Sequence, residues 1–399
     1  YVAPCDALEQ YLCEAWAAVL ALDKVGIRDN FFDLGGHSLL AVQLWLRVQQ
    51  ILPGKQLPLS ALLEAPTVEL LAGQLRNGNS RQHRLLVRMR PGTSTRSPFF
   101  CVHGRGGNVL NMRSLAMALP ADFPFYCCQA KGLDGSEPFA SVEETARCYV
   151  DEIHRVQPSG PYYLGGTCYG GLVAFEMARI FEELGESVAA LVLLDCRNPA
   201  FVNSLSNRER LFGDVRFYAR RAAWHARTVL SKPVNEWFEY LKGRCLALYE
   251  YLRKSEQEAA AATAEREMAE VAGTPLGENL KRVIRANFLA AKEFVPKPYN
   301  GSALVIRASA RYLDPYDDYF LGWQTVVRGP IECFEIEGDH MSILEQPSVR
   351  ILAEKLDGKF VELSAQWEAK QEHEQRDARE LATASGQQSP SRVSLEAIT

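Results

Sequence analysis

The 399 residues contain no apolar run approaching the roughly 18 residues that a membrane span requires. No basic-plus-apolar leader opens the chain, which begins Tyr1-Val2-Ala3-Pro4 without a Met and reads as a piece of something longer. There is little excess charge of either sign. A net charge of −5 argues against a nucleic-acid binder held by counterion release. Glycine and proline are modest, at 28 and 20 residues, which excludes collagen and wholesale disorder. No cysteine pair has C-x-x-C spacing, so a zinc site or thioredoxin-type couple is not expected. No internal repeat, metal motif or nucleotide motif is present, and the glycine-rich turns do not follow the phosphate-loop pattern.

What is present is an ordinary globular balance, 47% hydrophobic and 23% charged. The ten cysteines are irregularly spaced, and most lie in apolar stretches such as Phe125-Tyr126-Cys127-Cys128, where a thiol behaves as a small hydrophobe. With no leader, the expected compartment is a reducing cytoplasm.

Residues 1–76 read as short helices. Leu8, Leu12, Ala15, Trp16, Val19 and Leu20 recur at helical spacing, a second helix is expected over Ser38–Gln50, and a third over Val68–Leu75 after Pro66-Thr67. The polar stretch 77–84 reads as a flexible linker. From residue 85 the pattern changes. Phe99–Val102, Tyr162–Leu164, Val188–Leu194 and Ala303–Ile306 are short buried-strand runs with helical stretches between them, the pattern of a mostly parallel α/β sheet. Residues 201–300 interrupt the alternation with long amphipathic segments, expected to form a lid or subdomain. Residues 367–399 are polar and read as a frayed helix running into a tail.

Two strings carry chemistry. In Asp29-Asn30-Phe31-Phe32-Asp33-Leu34-Gly35-Gly36-His37-Ser38-Leu39-Leu40 the glycines permit a tight turn that leaves Ser38 at a helix start. Free N–H groups and the helix dipole favour an attached phosphate there. Taken alone, Ser38 also reads as a simple N-cap. The full string, with Leu63-Glu64-Ala65-Pro66-Thr67 further on, resembles the attachment motif of peptidyl carrier proteins in nonribosomal peptide synthetases. The resemblance covers residues 1–76. It implies a small all-α four-helix bundle, a covalent 4′-phosphopantetheine on Ser38, and roles for Asp33 and His37 in presenting the serine to a phosphopantetheinyl transferase. Phe31 and Phe32 are expected in the core.

The second string, Tyr162-Tyr163-Leu164-Gly165-Gly166-Thr167-Cys168-Tyr169-Gly170-Gly171, reads strand, sharp turn, helix. Gly166-x-Cys168-x-Gly170 is a nucleophile elbow with cysteine in place of serine. Its partners should follow in the order acid, then histidine. Asp195 ends an apolar run 27 residues later, and His340 lies just past the last strand-like run. Asp339 is a rival orienting acid, ranked below Asp195. The loop His103-Gly104-Arg105-Gly106-Gly107 follows a strand and can offer backbone N–H groups to an oxyanion. The two donors are placed at Arg105 and Tyr169, with His103 shaping the loop.

Residues 85–366 resemble the type I thioesterase that ends nonribosomal peptide assembly lines, an α/β-hydrolase with a mobile helical lid at about 201–300. The resemblance runs through Arg90-Pro91-Gly92, the His103 loop, the elbow, Leu194-Asp195 and Gly338-Asp339-His340. Two departures stand out: cysteine at the elbow instead of serine, and His103-Gly104 where His-Pro is common. A cysteine elbow resembles the release domains of assembly lines that close four-membered rings, β-lactams of monobactam type and β-lactones. The implied partners are upstream condensation and adenylation domains and a peptidyl thioester substrate, with no nucleic acid and no membrane, and the chain is expected to be monomeric. Hydrolysis to a free acid, macrocyclisation, and a carrier fragment with an inactive hydrolase domain stay open as alternatives. The arginines between 206 and 230 read mainly as a solvated helix face. Contact with an anionic substrate group or with the acidic carrier, whose 76 residues hold eight acids and five bases, is the sharper reading.

Overall fold

The computed structural model describes residues 1–51, 60–76, 84–93, 96–209, 273–310 and 318–384, with 211, 212, 215 and 219. Of the segment expected as a lid, most of 210–272 lies outside the described residues, as do Arg216, Arg220, Arg221 and Arg227; Arg208 is exposed. The linker expected at 77–84 also lies outside them, apart from Arg84.

Residues 7–76 hold α1 (Ala7–Leu20), α2 (Ser38–Ile51), the single turn α3 (Ala61–Glu64) and α4 (Val68–Arg76). Asp6 caps α1 by accepting the Glu9 N–H, and Thr67 Oγ1 accepts the Leu70 N–H at the head of α4. Leu12, Trp16, Phe31, Leu44 and Val68 are fully buried in the core of this unit, with Phe31 edge-on to Trp16 at 5.3 Å. Phe31 lies inside the core as expected, and Phe32 packs at its edge. Phe32 is half buried: it packs on the rim of that core, edge-on to Phe31 at 5.3 Å, and the Arg113 guanidinium lies over its ring at 3.9 Å.

From residue 86 a seven-stranded sheet forms in the order β1-β3-β2-β4-β5-β6-β7. Its strands are β1 (Leu86–Arg90), β2 (Phe99–Val102), β3 (Phe125–Cys128), β4 (Tyr162–Thr167), β5 (Val188–Leu194), β6 (Ala303–Ala308) and β7 (Ile331–Ile336). Only β1 is antiparallel, an edge strand paired to β3. Alternation along each strand splits the core into two faces. Phe100, Val102, Leu164 and Leu193 pack on α6 (Val142–Val156) and α7 (Tyr169–Glu183). Phe99, Cys101, Tyr163 and Val192 pack beneath α5 (Arg113–Ala118) and the long α10 (Ser348–Ala384). This last helix continues unbroken through 366–367, where a domain edge is expected from composition, because Leu352, Leu356 and Phe360 anchor its first turns. Two further helices, α8 (Pro199–Ser204) and α9 (Pro275–Glu293), flank the undescribed segment. Among the described residues no helix is long and apolar enough to cross a membrane, and no His/Cys/Asp/Glu cluster fits a metal ion.

Candidate active site

The parallel strands deliver their carboxyl ends to one edge of the sheet, the position at which open α/β folds build their sites. Cys168 follows β4, Asp195 follows β5, and His340 lies in the turn after β7. Cys168 sits at φ 53° and ψ −119°, a left-handed conformation forced on a non-glycine residue between strand and helix. That turn requires its glycines. A Cβ on Gly170 would lie 2.3 Å from the His103 carbonyl oxygen, and one on Gly166 2.1 Å from that of Gly170. With no side chain at either position, α7 starts directly beneath the thiol and points its dipole at it.

His340 Nδ1 donates to Asp195 Oδ2 at 2.7 Å, and Asp195 Oδ1 accepts the Ala308 N–H at 3.0 Å. Both carboxylate oxygens are therefore used, and the ring of His340 is held with Nε2 facing the elbow. Asp339 turns away. Its Oδ1 accepts the N–H groups of Met341 and Ser342 at 3.0 and 2.9 Å, and these bonds, Ser342 first, hold its carboxyl below the usual range.

Burial alone pushes the Cys168 thiol up. The hydrogen bond and charge of His340, the charge of Arg105 and the Tyr169 N–H together outweigh it, so the thiol ends below its ordinary range. His340 is displaced upward, first by its bond to Asp195 and then by its bond to Cys168. Both directions favour passage of the thiol proton to the imidazole. Several other thiols move the opposite way. Burial raises Cys13 to about 11 and Cys101 to about 12, and carries Cys127 and Cys128 well above the thiol range. Alkylation by iodoacetamide should consequently single out Cys168 at neutral pH. As pH falls, its rate should drop only on passing through the lowered thiol value. In His340→Ala, burial loses its largest opponents, with only Arg105 and the Tyr169 N–H left against it, and the profile should move to higher pH. A Cys168 profile that coincides with those of the remaining thiols would contradict this proton transfer.

The loop after β2 is a turn closed by the Gly107 N–H on the Gly104 carbonyl at 3.0 Å. Arg105 lies on it, and no backbone acceptor takes its N–H among the described residues. The Tyr169 N–H is directed at the Cys168 sulfur. His103 is fully buried; burial lowers it to about 4, and its Nδ1 lies 2.6 Å from the Gly104 carbonyl. A neutral imidazole so placed shapes the loop, as the sequence reading expects. Two features escaped that reading. Asn287 donates to the Arg105 carbonyl at 2.9 Å, and the Ala308 N–H fixes the acid. The only sequence signal for Asn287 is a polar residue within the apolar stripe Leu276, Leu280, Val283, Ala290 of α9.

At the other string, Ser38 is the first residue of the fourteen-residue α2, and its neighbours Asp33, Gly35 and His37 are exposed. A helix head with free N–H groups and open approach fits a phosphodiester.

Residues 97–360 match the thioesterase domain family, and residues 10–75 match the phosphopantetheine attachment site family. The malpibaldin synthetase of Mortierella alpina is 31% identical over 366 residues, covering 90% of this chain and 6% of that protein. The dimodular nonribosomal peptide synthase of Bacillus subtilis (strain 168) is 31% identical over 362 residues, 89% of this chain and 14% of that one. A crystal structure of a four-domain nonribosomal peptide synthetase with AMP and glycine superimposes with a TM-score of 0.52 at 27% identity, over 90% of this chain and 26% of the other. The chain thus spans a small part of the length of these relatives. It belongs to the thioesterase domain family, in the arrangement found in nonribosomal peptide synthetases, where a domain carrying 4′-phosphopantetheine precedes the thioesterase.

Proposed function

We propose that this chain performs the release step of a nonribosomal peptide synthetase, with Cys168 as nucleophile, His340 as proton carrier and Asp195 as its orienting acid. The observation that carries the reading is the coupled geometry at the sheet edge, where Asp195 fixes Nδ1 of His340 and leaves Nε2 to the Cys168 thiol. Ser38 is the residue that would hold the 4′-phosphopantetheine arm, which supplies the peptidyl group as a thioester. Upstream condensation and adenylation domains build that peptide, and a phosphopantetheinyl transferase modifies Ser38.

The Cys168 thiolate attacks the acyl carbonyl, and the N–H groups of Arg105 and Tyr169 hold the oxyanion that forms. His340 gives its Nε2 proton to the departing thiolate as the carbonyl reforms, leaving an acyl group on Cys168. In the second half, His340 takes the proton of the incoming nucleophile, which bonds to the carbonyl carbon as the Cys168–acyl bond breaks.

Cysteine in place of serine makes this intermediate a thioester, not an oxoester. The acyl group keeps its activation, which matters most when the attacking group is weak or the product strained. Intramolecular closure of a four-membered β-lactam or β-lactone ring is therefore the favoured outcome. The test is the accurate mass of the product released from the loaded synthetase by the native chain and by Cys168→Ser. The native product should be one water lighter than the linear acid. The serine variant should lose ring product by about tenfold or more, equivalent to 1.4 kcal/mol or more in the closing barrier. Unchanged ring yield would remove the reason for the cysteine, and a linear acid from the native chain would make it a hydrolase.

A further inference from the structure

The helix α9 touches two parts of the molecule that no motif connects. Along one stripe, Leu276, Leu280 and Ile284 form an apolar cluster with Val42, Trp45 and Leu46 of α2, the helix that Ser38 opens. One turn further, Asn287, only 6% exposed, donates to the Arg105 carbonyl at 2.9 Å. Val283 lies between the two contacts and abuts the same loop, close enough that a Cβ on Gly107 would sit 2.6 Å from its Cγ1. The carrier helix and the oxyanion loop therefore bear on one continuous helix of 19 residues.

We propose that α9 is a strut that sets the oxyanion loop when the carrier helix is seated, and that Asn287 is the positioning residue through which it does so. The proposal rests on the catalytic reading above, in which Arg105 supplies an oxyanion donor. The turn 104–107 is held from three sides: Gly104 by His103, Gly107 by the Ala130 N–H at 2.9 Å, and Arg105 by Asn287. The first two ties come from the sheet side. Only the third comes from a helix that also bears the carrier. If α2 leaves its seat, α9 keeps Leu133 but loses the Val42, Trp45 and Leu46 part of its apolar cover, and the Arg105 carbonyl loses a fixed partner on the residue whose N–H must meet the oxyanion. An oxyanion donor displaced by a fraction of an ångström loses most of its value in the transition state and little in the ground state.

The discriminating substrate is a small acyl thioester in free solution, which does not need the carrier for delivery. In the full chain, Asn287→Ala should lower kcat for this substrate by about 10- to 100-fold, less than removal of a whole oxyanion donor. KM and the iodoacetamide rate of Cys168 should be unchanged, since neither depends on the oxyanion. Asn287→Leu, which keeps the branched skeleton and drops the donor, should behave alike and covers the case in which the alanine variant does not fold. Trp45→Ala should lower the same free-substrate kcat severalfold, and its effect should vanish in the Asn287→Ala background. A seat that serves delivery alone predicts the opposite: Trp45→Ala slows only carrier-borne transfer. That result, or an unchanged kcat in both Asn287 variants, overturns the proposal. Cys168→Ala in the same assay keeps the two readings apart, because free-substrate turnover that survives it would bring down the catalytic assignment itself.

Discussion

Cys168→Ala should lower acyl transfer by about 10⁴-fold or more and leave no acyl group on the thioesterase, since the remaining oxyanion donors stabilise a transition state that no longer has its nucleophile. The fold should survive. Alanine removes only the sulfur, and the left-handed backbone at φ 53° is held by the close approach of Gly166 and Gly170, not by the side chain. The checks are single-turnover transfer from a loaded carrier and intact mass of the protein during turnover. Transfer at a rate near that of the native chain would show that another group accepts the acyl chain, and the elbow would then be a structural turn.

Asp195→Asn should be the next most damaging change, lowering kcat by about 10³-fold or more with the geometry nearly intact. The reason lies in the two bonds of the carboxylate. Oδ1 accepts from Ala308 and Oδ2 accepts from His340 Nδ1, so the site demands two acceptors. Asparagine has one. With its oxygen on the Ala308 N–H, its amide presents a donor to Nδ1, and the imidazole must carry its proton on Nε2, where the thiol proton has to go. His340 would also lose the largest influence that raises it, and the Cys168 thiol would return toward the value burial imposes. Two measurements check this: kcat for a free thioester, and the pH profile of Cys168 alkylation, which should move upward as it does in His340→Ala. An unmoved profile with normal kcat would shift the orienting role elsewhere. Asp339 is poorly suited to take it, because its Oδ1 is occupied by the Met341 and Ser342 N–H groups.

Much of the architecture was legible because its causes are local. β2, β4, β5 and β6 are continuous buried runs, so periodicity and length suffice to find them. The edge strand β1 mixes Arg88 and Arg90 with Leu86, Val87 and Met89, so its antiparallel pairing to β3, more than its burial pattern, makes it a strand. The contact that covers the outer side of Phe32 is, for a similar reason, not legible. Nothing beside it in the chain announces the distant Arg113 that covers it.

The sequence by itself determined the chemistry available: a serine at the head of α2, a cysteine squeezed between strand and helix by two glycines, a glycine-rich loop after β2, and the order cysteine, aspartate, histidine. These are contiguous strings, and a turn that admits only glycine leaves its mark in the residues that make it. The tertiary structure alone decided the pairings. It chose Asp195 over Asp339 for His340, set a neutral His103 under the loop, and laid α9 against both Trp45 and the Arg105 carbonyl. Those contacts join residues 145, 182 and more positions apart, and which of them form depends on how strands β4 to β7 stack in register and where α9 returns across the sheet. Sheet register and helix placement arise from packing of the whole core, and no short stretch of chain contains them.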